Sequence, residues 1–261
     1  MAKKRMLAVE RRQTILSILH ANSTISVAEA AKACGVSQVT ARADLDALAE
    51  EGLLSRTRGG AVASSGVTPL MPVRMKQNIV VKAQISSQAV EFVNDGDSIL
   101  VGSGSTTLAF VKALKDKHDL RILTNDQYII EYAENELRNA VLISTGGILE
   151  PYYHHLSGVL AQASVQSVYY DKCFIGADAY QPSFGLMTEF ETLATLKRAF
   201  IEHARERYLL MDATKIKREH VSARFAGLDE FDAIIMDKDP EGIVASELAA
   251  LGADTRLITA E

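Results

Sequence analysis

Residues 35–62 read GVSQVTARADLDALAEEGLLSRTRGGAV, and they contain the turn and helix signals that predict the fold of the first part of the chain. Gly35 suits a sharp turn, because glycine tolerates the left-handed backbone conformation. Ser37 is a good N-cap for a helix that runs to about Glu51, and Gly52 should end that helix. The apolar residues at helical spacing, which should face inward, are Ala41, Leu45 and Leu48.

Two further helices are predicted before this turn. Residues 10–21 repeat apolar side chains at the spacing of one buried helical face. The next helix should begin after Ser26, since Glu29 stands where it closes a capping box. Helix, short glycine-containing turn and helix is the arrangement of a helix-turn-helix unit, whose second helix enters the DNA major groove.

Polar residues on and after the third helix indicate contacts to DNA. Residues 53–56 alternate like a strand, residues 57–60 suit a turn and residues 61–63 suit a return strand, so a wing is expected. Glutamine and arginine each make paired hydrogen bonds to a base, and arginine also binds phosphate. The alternative is a small helical domain with solvated arginines. The predicted DNA-binding residues are Ser37, Gln38, Thr40, Arg42, Arg56 and Arg58.

Charge is distributed unevenly along the chain. The 261 residues have a formal net charge of −5, from 28 Lys and Arg against 33 Asp and Glu. Residues 1–60 nevertheless contain nine basic and six acidic side chains, so this part is basic and the remainder is acidic. A basic segment favours a nucleic-acid partner, and we expect that partner to be double-stranded operator DNA.

From Asp97 onward, short apolar segments alternate with helical segments. Strands that are apolar on both faces and separated by helices are typical of a mainly parallel, doubly wound sheet. The sequence therefore predicts a larger α/β domain behind the helix-turn-helix. The predicted strands cover residues 98–101, 121–124, 140–144, 172–175, 208–211, 233–236 and 256–258.

The join between the two parts is rich in small residues and proline. Thr68-Pro69 and Met71-Pro72 disfavour helix, and a helix is expected only from about Val73 to Phe92. The sequence thus predicts three segments. They are a winged helix-turn-helix DNA-binding domain at residues 1–62, a linker at 63–76 and a doubly wound, mainly parallel α/β domain at 77–261.

Ligands of such sheets bind beyond the carboxyl ends of the strands. Residues 102–107, GSGSTT, follow the first strand of the larger domain and enter a helix, where small residues, hydroxyl groups and the helix N-terminus suit a phosphate. A plain tight turn is the alternative. Lys215 could neutralise a phosphate, while Asn125 and Asp178 suit sugar hydroxyls. The predicted effector-binding residues are Ser103, Gly104, Ser105, Thr106, Thr107, Asn125, Gly147, Asp178 and Lys215.

An aromatic and histidine cluster, Tyr152–His155, lies next to this predicted site. It is interpreted either as an exposed loop or as a gate for the ligand.

Cys34 and Cys173 stand in apolar stretches without a CxxC motif, so buried thiols are expected, with no metal and no cofactor. No apolar run reaches the roughly 18 residues of a membrane span, and no signal peptide follows Met1–Arg5. A cytoplasmic protein without a membrane partner is expected.

Both parts of the chain resemble one known family. The first matches the pattern V-S-x-x-T-I-R-x-D-L, then L-x-x-x-G-L-L-x-R and a Gly-Gly wing, of DeoR-family regulators, with Ala41 in place of the usual isoleucine. Ser103, Gly104, Thr106 and Thr107 match the effector domain of that family, which is itself similar to ribose-5-phosphate isomerase. The resemblance implies a repressor whose DNA affinity is changed by a phosphorylated sugar. We expect it to act as a homodimer or homotetramer, with two DNA-binding domains set at the spacing of two half-sites.

An active sugar-phosphate isomerase with a DNA-binding appendage is the main alternative. Asp178 and Lys215 could then serve as the base and as a group that stabilises the enediolate. The chain lacks the Lys-Gly-Gly-rich segment of that enzyme and keeps only part of its Asp-Gly-Ala-Asp-Glu segment at residues 176–179. We therefore expect no catalytic residues. A DNA-binding protein without any effector is the third interpretation.

Overall fold

The computed structural model describes residues 6–22, 24–63, 70–150, 153–219 and 221–260. The chain divides into two compact units, Met1–Gln77 and Asn78–Glu261, which we call the head and the body. Each unit buries apolar side chains of its own. Among the described residues, no helix has the length and apolar character needed to cross a bilayer.

The head combines helices with a small antiparallel sheet, as the sequence predicts for a winged helix-turn-helix unit. Its elements are α1 (Ala8–Asn22), β1 (Thr24–Ser26), α2 (Val27–Cys34), α3 (Gln38–Glu50), β2 (Leu54–Thr57), β3 (Gly60–Ala63) and α4 (Met71–Arg74). Strands β2 and β3 form the predicted wing. Strand β1 was not predicted. It pairs with β3 and makes the sheet order β1-β3-β2. The wing is therefore anchored to the segment that leads into α2.

The turn between α2 and α3 follows from three local signals. The Ser26 hydroxyl accepts a hydrogen bond from the Glu29 N–H at 3.1 Å, and the Glu29 carboxylate accepts one from the Ser26 N–H at 2.8 Å. Gly35 ends α2 with a φ of 64°, which side chains rarely adopt. The Ser37 hydroxyl accepts from the Thr40 N–H at 3.2 Å and starts α3. Such caps each stabilise a helix by about 1 kcal/mol, so the sequence itself sets this turn.

A paired ionic contact joins α3 to α1. The Nε and Nη2 atoms of Arg11 donate to the two carboxylate oxygens of Asp44 at 2.6 and 3.0 Å. The Asp44 side chain is 5% exposed and that of Arg11 is 13% exposed, so water screens this pair weakly. The hydrogen bond that Arg11 donates to Asp44 raises the pKa of the Arg11 guanidinium. Asp44 therefore orients α3 from inside the head.

Part of the predicted linker is packed against the head. Leu70 and Met71 are buried, and α4 contacts α1. Residues 64–69 of the predicted linker lie outside the described residues. The segment that begins at Leu70 thus belongs to the head in structural terms.

The single helix predicted from Val73 to Phe92 is wrong. Helix α4 ends at Arg74, and the next helix, α5, begins at Ile79. Asn78 lies between them with a φ of 51°, a left-handed conformation that a right-handed helix cannot contain without a break. The apolar periodicity of the sequence does not reveal this break.

Within the described part of the body, seven parallel strands form the main sheet, which confirms the predicted fold class. The helices of the body are α5 (Ile79–Val90), α6 (Ser105–Ala113), α7 (Gln127–Glu136), α8 (Val159–Gln166), α9 (Glu191–Glu202) and α10 (Ile243–Leu251). Its strands are β4 (Ser98–Val101), β5 (Arg121–Thr124), β6 (Val141–Ser144), β7 (Ile148–Leu149), β8 (Leu156–Ser157), β9 (Tyr170–Gly176), β10 (Ala179–Gln181), β11 (Gly185–Thr188), β12 (Ala204–Leu210), β13 (Ala223–Ala226), β14 (Ala233–Met236) and β15 (Arg256–Thr259).

The strand order of the main sheet is β15-β14-β12-β9-β4-β5-β6. The chain thus builds outward from β4 to β6, then crosses to β9 and builds outward to β15. The direction reverses between the neighbours β4 and β9, which pair in parallel through Leu100 and Cys173. Such a reversal point opens a crevice beyond the carboxyl ends of the two strands.

Two smaller sheets of the body were not predicted. Strands β10, β11 and β13 form one antiparallel sheet, and β7 pairs with β8 in a hairpin. These strands are too short for an alternating pattern to indicate them, and β11 also pairs with β13, which lies far along the chain.

The core of the main sheet contains stacked aromatic rings. The rings of Phe110 and Phe174 lie 4.3 Å apart, and those of Phe174 and Tyr208 lie 4.8 Å apart. Cys34 in the head and Cys173 in the body are both free and buried, as the sequence predicts. Burial raises the pKa of both thiols, which makes them poor nucleophiles.

Replacing Asp44 tests the ionic contact between α1 and α3. We expect Asp44→Asn to lower the free energy of unfolding of the head by roughly 2–4 kcal/mol, because Arg11 then keeps its charge without a carboxylate partner. Asp46→Asn on the same helix is the matched control. Its side chain is 59% exposed in its ion pair with Arg56, so a change below about 1 kcal/mol is expected. Urea unfolding followed by circular dichroism measures both, and equal effects would contradict the prediction.

Gly147 and its neighbour Gly146 provide a second test. A Cβ atom on Gly147 would lie 2.4 Å from the Ser157 carbonyl oxygen, and its φ is 106°. Gly146 has a φ of 64° and nothing within 4 Å. We expect Gly147→Ala to lower the free energy of unfolding of the body by roughly 2–5 kcal/mol. Gly146→Ala should cost about 1 kcal/mol. Thermal or urea denaturation compares them, and a milder effect at Gly147 would be the contrary result.

Candidate functional site

The outward face of α3 carries the predicted base-contacting residues. Gln38 and Arg42 are exposed, four residues apart on that face. The Ser37 and Thr40 hydroxyls lie 3.0 Å apart and bond to each other, so these two side chains hold the first turn of the helix in place. Val39, which the sequence analysis does not single out, is 77% exposed beside them.

The two wing arginines have different surroundings. Arg58 is exposed in the turn between β2 and β3. Arg56 instead donates to the Asp46 carboxylate at 2.7 Å and to the Gly60 carbonyl oxygen. Its guanidinium therefore links the wing to α3 in the DNA-free protein, although the sequence predicts it as a phosphate contact. The local sequence could not show this, because the carboxylate comes from another element.

The carboxyl ends of five adjacent strands bring the predicted effector residues to one edge of the main sheet. Along that edge the strands follow the order β12, β9, β4, β5, β6. The residues that follow these strands, in the same order, are Lys215, Asp178, Ser103–Thr107, Asn125 and Gly147. The middle member, Ser103–Thr107, stands at the point where the winding direction reverses.

Side chains from the neighbouring strand hold the loop after β4. The Ser103 N–H donates to Asn125 Oδ1 at 2.8 Å, and the Gly104 N–H donates to Asp126 Oδ2 at 3.2 Å. Asn125 Nδ2 donates to the Leu156 carbonyl at 3.0 Å. The Asn125 amide thus bonds to backbone groups of the protein, whereas the sequence predicts that it contacts a sugar. Asp126, which also holds this loop, was not predicted.

The first turn of α6 separates the remaining hydroxyls into two kinds. Thr107 is fully buried and its hydroxyl donates to the Gly104 carbonyl at 2.9 Å, so it is structural. Ser105 and Thr106 are 7% and 9% exposed, and their hydroxyls form no hydrogen bond to any described residue. Gly104 has no side chain to cap the helix. Backbone N–H groups and two hydroxyls therefore converge at the start of α6, which suits an anion.

The other half of the edge carries charged side chains. Asp178 is buried, and its Oδ2 accepts from the Thr188 hydroxyl at 2.6 Å. Lys215 is half-buried on a short 3-10 helix that Asp212 caps. Lys197 is also buried, and its Nζ donates to the Gly176 carbonyl at 2.6 Å. Lys197 was not predicted as a site residue. It places a positive charge at the end of β9, in addition to that of Lys215 after β12.

The segment from Tyr153 to Leu156 closes the edge beside β5. The Leu156 N–H donates to the Asn125 carbonyl at 2.8 Å, and the Gln127 N–H donates to the His154 carbonyl at 3.1 Å. Tyr153 and His155 are buried, so the interpretation of this segment as an exposed loop is wrong for both. Their rings pack against Phe190, at 5.2 and 5.4 Å between centroids.

The histidines of this segment differ in their surroundings. Burial lowers the pKa of His154, whose ring lies 4.9 Å from that of Tyr128. Tyr152 of the predicted cluster lies outside the described residues. Within the described ranges, no three His, Cys, Asp or Glu side chains are grouped closely enough to hold a metal ion.

Two family models match the chain. A DeoR-like helix-turn-helix domain matches residues 11–66, and a DeoR C-terminal sensor domain matches residues 77–238. The HTH-type transcriptional regulator YgbI of Escherichia coli K12 is 33% identical over 249 residues, covering 94% of this chain and 95% of its own. The lactose phosphotransferase system repressor of Lactococcus lactis is 30% identical over 84% of this chain and 85% of its own.

Among solved structures, ribose 5-phosphate isomerase A from Methanocaldococcus jannaschii is similar, with a TM-score of 0.39 and 19% identity over 54% of this chain and 55% of that one. The sensor-domain match covers more than half of the chain, and the helix-turn-helix match covers most of the head. The chain therefore belongs to the DeoR family of DNA-binding transcriptional regulators.

Proposed function

We propose that this protein represses a sugar-catabolism operon, and that a phosphorylated sugar bound at the sheet edge of the body sets its affinity for operator DNA. A relative of similar length is a repressor of a lactose phosphotransferase system, which supports a sugar-related target. The observation that carries the proposal is the first turn of α6. There, the nearly buried Ser105 and Thr106 hydroxyls bond to no described residue at the reversal point of the sheet.

The phosphate group of the effector is expected at that turn. The N–H groups of residues 103 and 104 already donate to Asn125 and Asp126, so the phosphate would bind the N–H groups and hydroxyls of Ser105 and Thr106. The positive end of the helix dipole favours an anion there. Lys215, on the 3-10 helix after β12, supplies a full positive charge from the same edge.

The sugar would extend from the phosphate toward Asp178. One carboxylate oxygen of Asp178 accepts from Thr188, and carboxylates accept further hydrogen bonds from hydroxyl groups. The packed rings of Tyr153, His155 and Phe190 form a rigid wall on the β5 side of the edge. Such a wall would select among sugars by shape.

Regulation would follow from a difference in effector affinity between two states. Two heads must meet two half-sites about one helical turn, roughly 34 Å, or a multiple apart, so we propose a homodimer or homotetramer as the active form. An effector that binds the DNA-incompetent arrangement more tightly shifts the population toward it. To weaken operator binding tenfold, the effector must bind the DNA-incompetent arrangement at least tenfold more tightly, a difference of about 1.4 kcal/mol.

Arg42→Ala tests the DNA-binding half of the proposal. Loss of a two-pronged base contact should weaken operator binding roughly 10- to 100-fold in each half-site. Because Arg42 is exposed, folding should be unaffected. Gel shift with a duplex selected from randomised DNA measures the loss, and thermal shift with sugar phosphates should remain as in the unmodified protein. Undiminished operator binding by this variant would place the DNA contacts elsewhere.

Substitutions at Lys215 and Thr106 test the effector-binding half of the proposal, with Lys217 as the control. Lys215→Ala and Thr106→Val should bind operator normally but require at least a tenfold higher concentration of the sugar phosphate for release, since each removes a phosphate contact. Lys217→Ala is the control, because Lys217 is exposed two residues away. Release of operator DNA is titrated with candidate sugar phosphates. A normal response from Lys215→Ala would show that the site is misplaced.

We further propose that the protein is not an enzyme. The same edge could hold an isomerase substrate, with Asp178 as the base. However, Asp178 is already hydrogen-bonded to Thr188, and the sequence retains only part of the corresponding isomerase segment. Conversion of a bound sugar phosphate, followed by NMR, would be incompatible with this part of the proposal.

A further inference from the structure

Val39 is an exposed apolar residue on the face of α3 that carries Gln38 and Arg42. Its exposure of 77% is high for a large apolar side chain in the head. Ala41 and Leu45 of the same helix are buried on the opposite face. Val39 therefore adds nothing to the core that holds α3 in place.

The branched side chain of Val39 is stiff. Two heavy atoms on its Cβ restrict the χ1 angle, even though Val39 is the second residue of α3 and no helical turn precedes it. Its two methyl groups therefore point in few directions. An outward apolar group with few orientations is suited to contact with another molecule.

The neighbours of Val39 indicate what that molecule is. Ala43 is exposed one helical turn further on, which extends the apolar strip. Gln38 and Arg42 form the adjacent row on one side of this strip, and their side chains suit base edges. The bond between the Ser37 and Thr40 hydroxyls fixes the turn that carries Val39. An apolar strip beside a row of base-reading side chains matches the major groove, where thymine alone presents a methyl group.

We propose that Val39 reads a thymine in each half-site through the 5-methyl group of that base. The inference rests on the proposed DNA-binding function and names one determinant of its specificity. The methyl groups of Val39 contact the thymine methyl while Gln38 and Arg42 bond to adjacent bases. Removing either partner of this apolar contact weakens binding at that position alone.

The test uses the full chain and a duplex selected from randomised DNA. Each thymine of the selected duplex is replaced, one at a time, by deoxyuridine, which lacks only the methyl group. For the unmodified protein, we expect one position in each half-site at which this replacement weakens binding about threefold to tenfold. Val39→Ala should bind the thymine and deoxyuridine duplexes equally well. Its folding is preserved because position 39 is exposed and alanine favours helix.

Gln38→Ala is the matched control. It removes a neighbouring base contact, so it should bind more weakly overall yet keep the same ratio between thymine and deoxyuridine duplexes. The inference is overturned if no thymine is sensitive to loss of its methyl group, or if Val39→Ala keeps the full sensitivity. Failure to enrich any duplex would overturn the DNA-binding function as well. Enrichment without methyl sensitivity would remove only the role of Val39.

Discussion

The reversal of winding direction between β4 and β9 is the constraint on which the candidate effector site depends. Parallel strands place all their carboxyl ends at one edge, and the reversal leaves a crevice there that no crossover helix fills. Asn125 and Asp126 hold the loop after β4 in this crevice, because their side chains accept hydrogen bonds from the N–H groups of Ser103 and Gly104. Two side chains from the segment after β5 thus hold the loop after the neighbouring strand β4 in its conformation. The hydroxyls of the next turn then remain available for a ligand.

The head uses its acidic residues in a similar way. Asp44 binds Arg11 of α1, and Asp46 binds Arg56 of the wing, so these two carboxylates of α3 fix the position of that helix. These pairs neutralise two arginines of the head and leave Arg42 and Arg58 exposed. In the proposed mechanism, specific binding draws on base contacts and on the pairing of two heads, and an effector bound in the body controls that pairing.

Local signals in the sequence predicted the elements whose boundaries they set. The Ser26 capping box, the left-handed Gly35 and the apolar strands of the body act within a few residues, so helix starts and strands could be identified directly. Features that depend on distant partners could not. Strand β1 exists because it pairs with β3, and Asn125 supports the backbone because β5 lies beside β4. The break between α4 and α5 at Asn78 is local. However, asparagine adopts a left-handed conformation only occasionally, so an asparagine in the sequence does not by itself predict such a break.

The separation of the chain into head and body has a thermodynamic consequence for regulation. The α3 residues proposed to contact DNA and the α6 residues proposed to contact the effector belong to different compact units. No single side chain of those described above serves both proposed sites. The proposed coupling would therefore come from states of the protein that differ in affinity for each partner, and such coupling is reciprocal. If the sugar phosphate weakens operator binding by a given factor, operator DNA weakens sugar-phosphate binding by that same factor. Under this proposal, substitutions at Arg42 and Lys215 would each weaken the binding of one partner without altering the other site, so their effects could be measured separately.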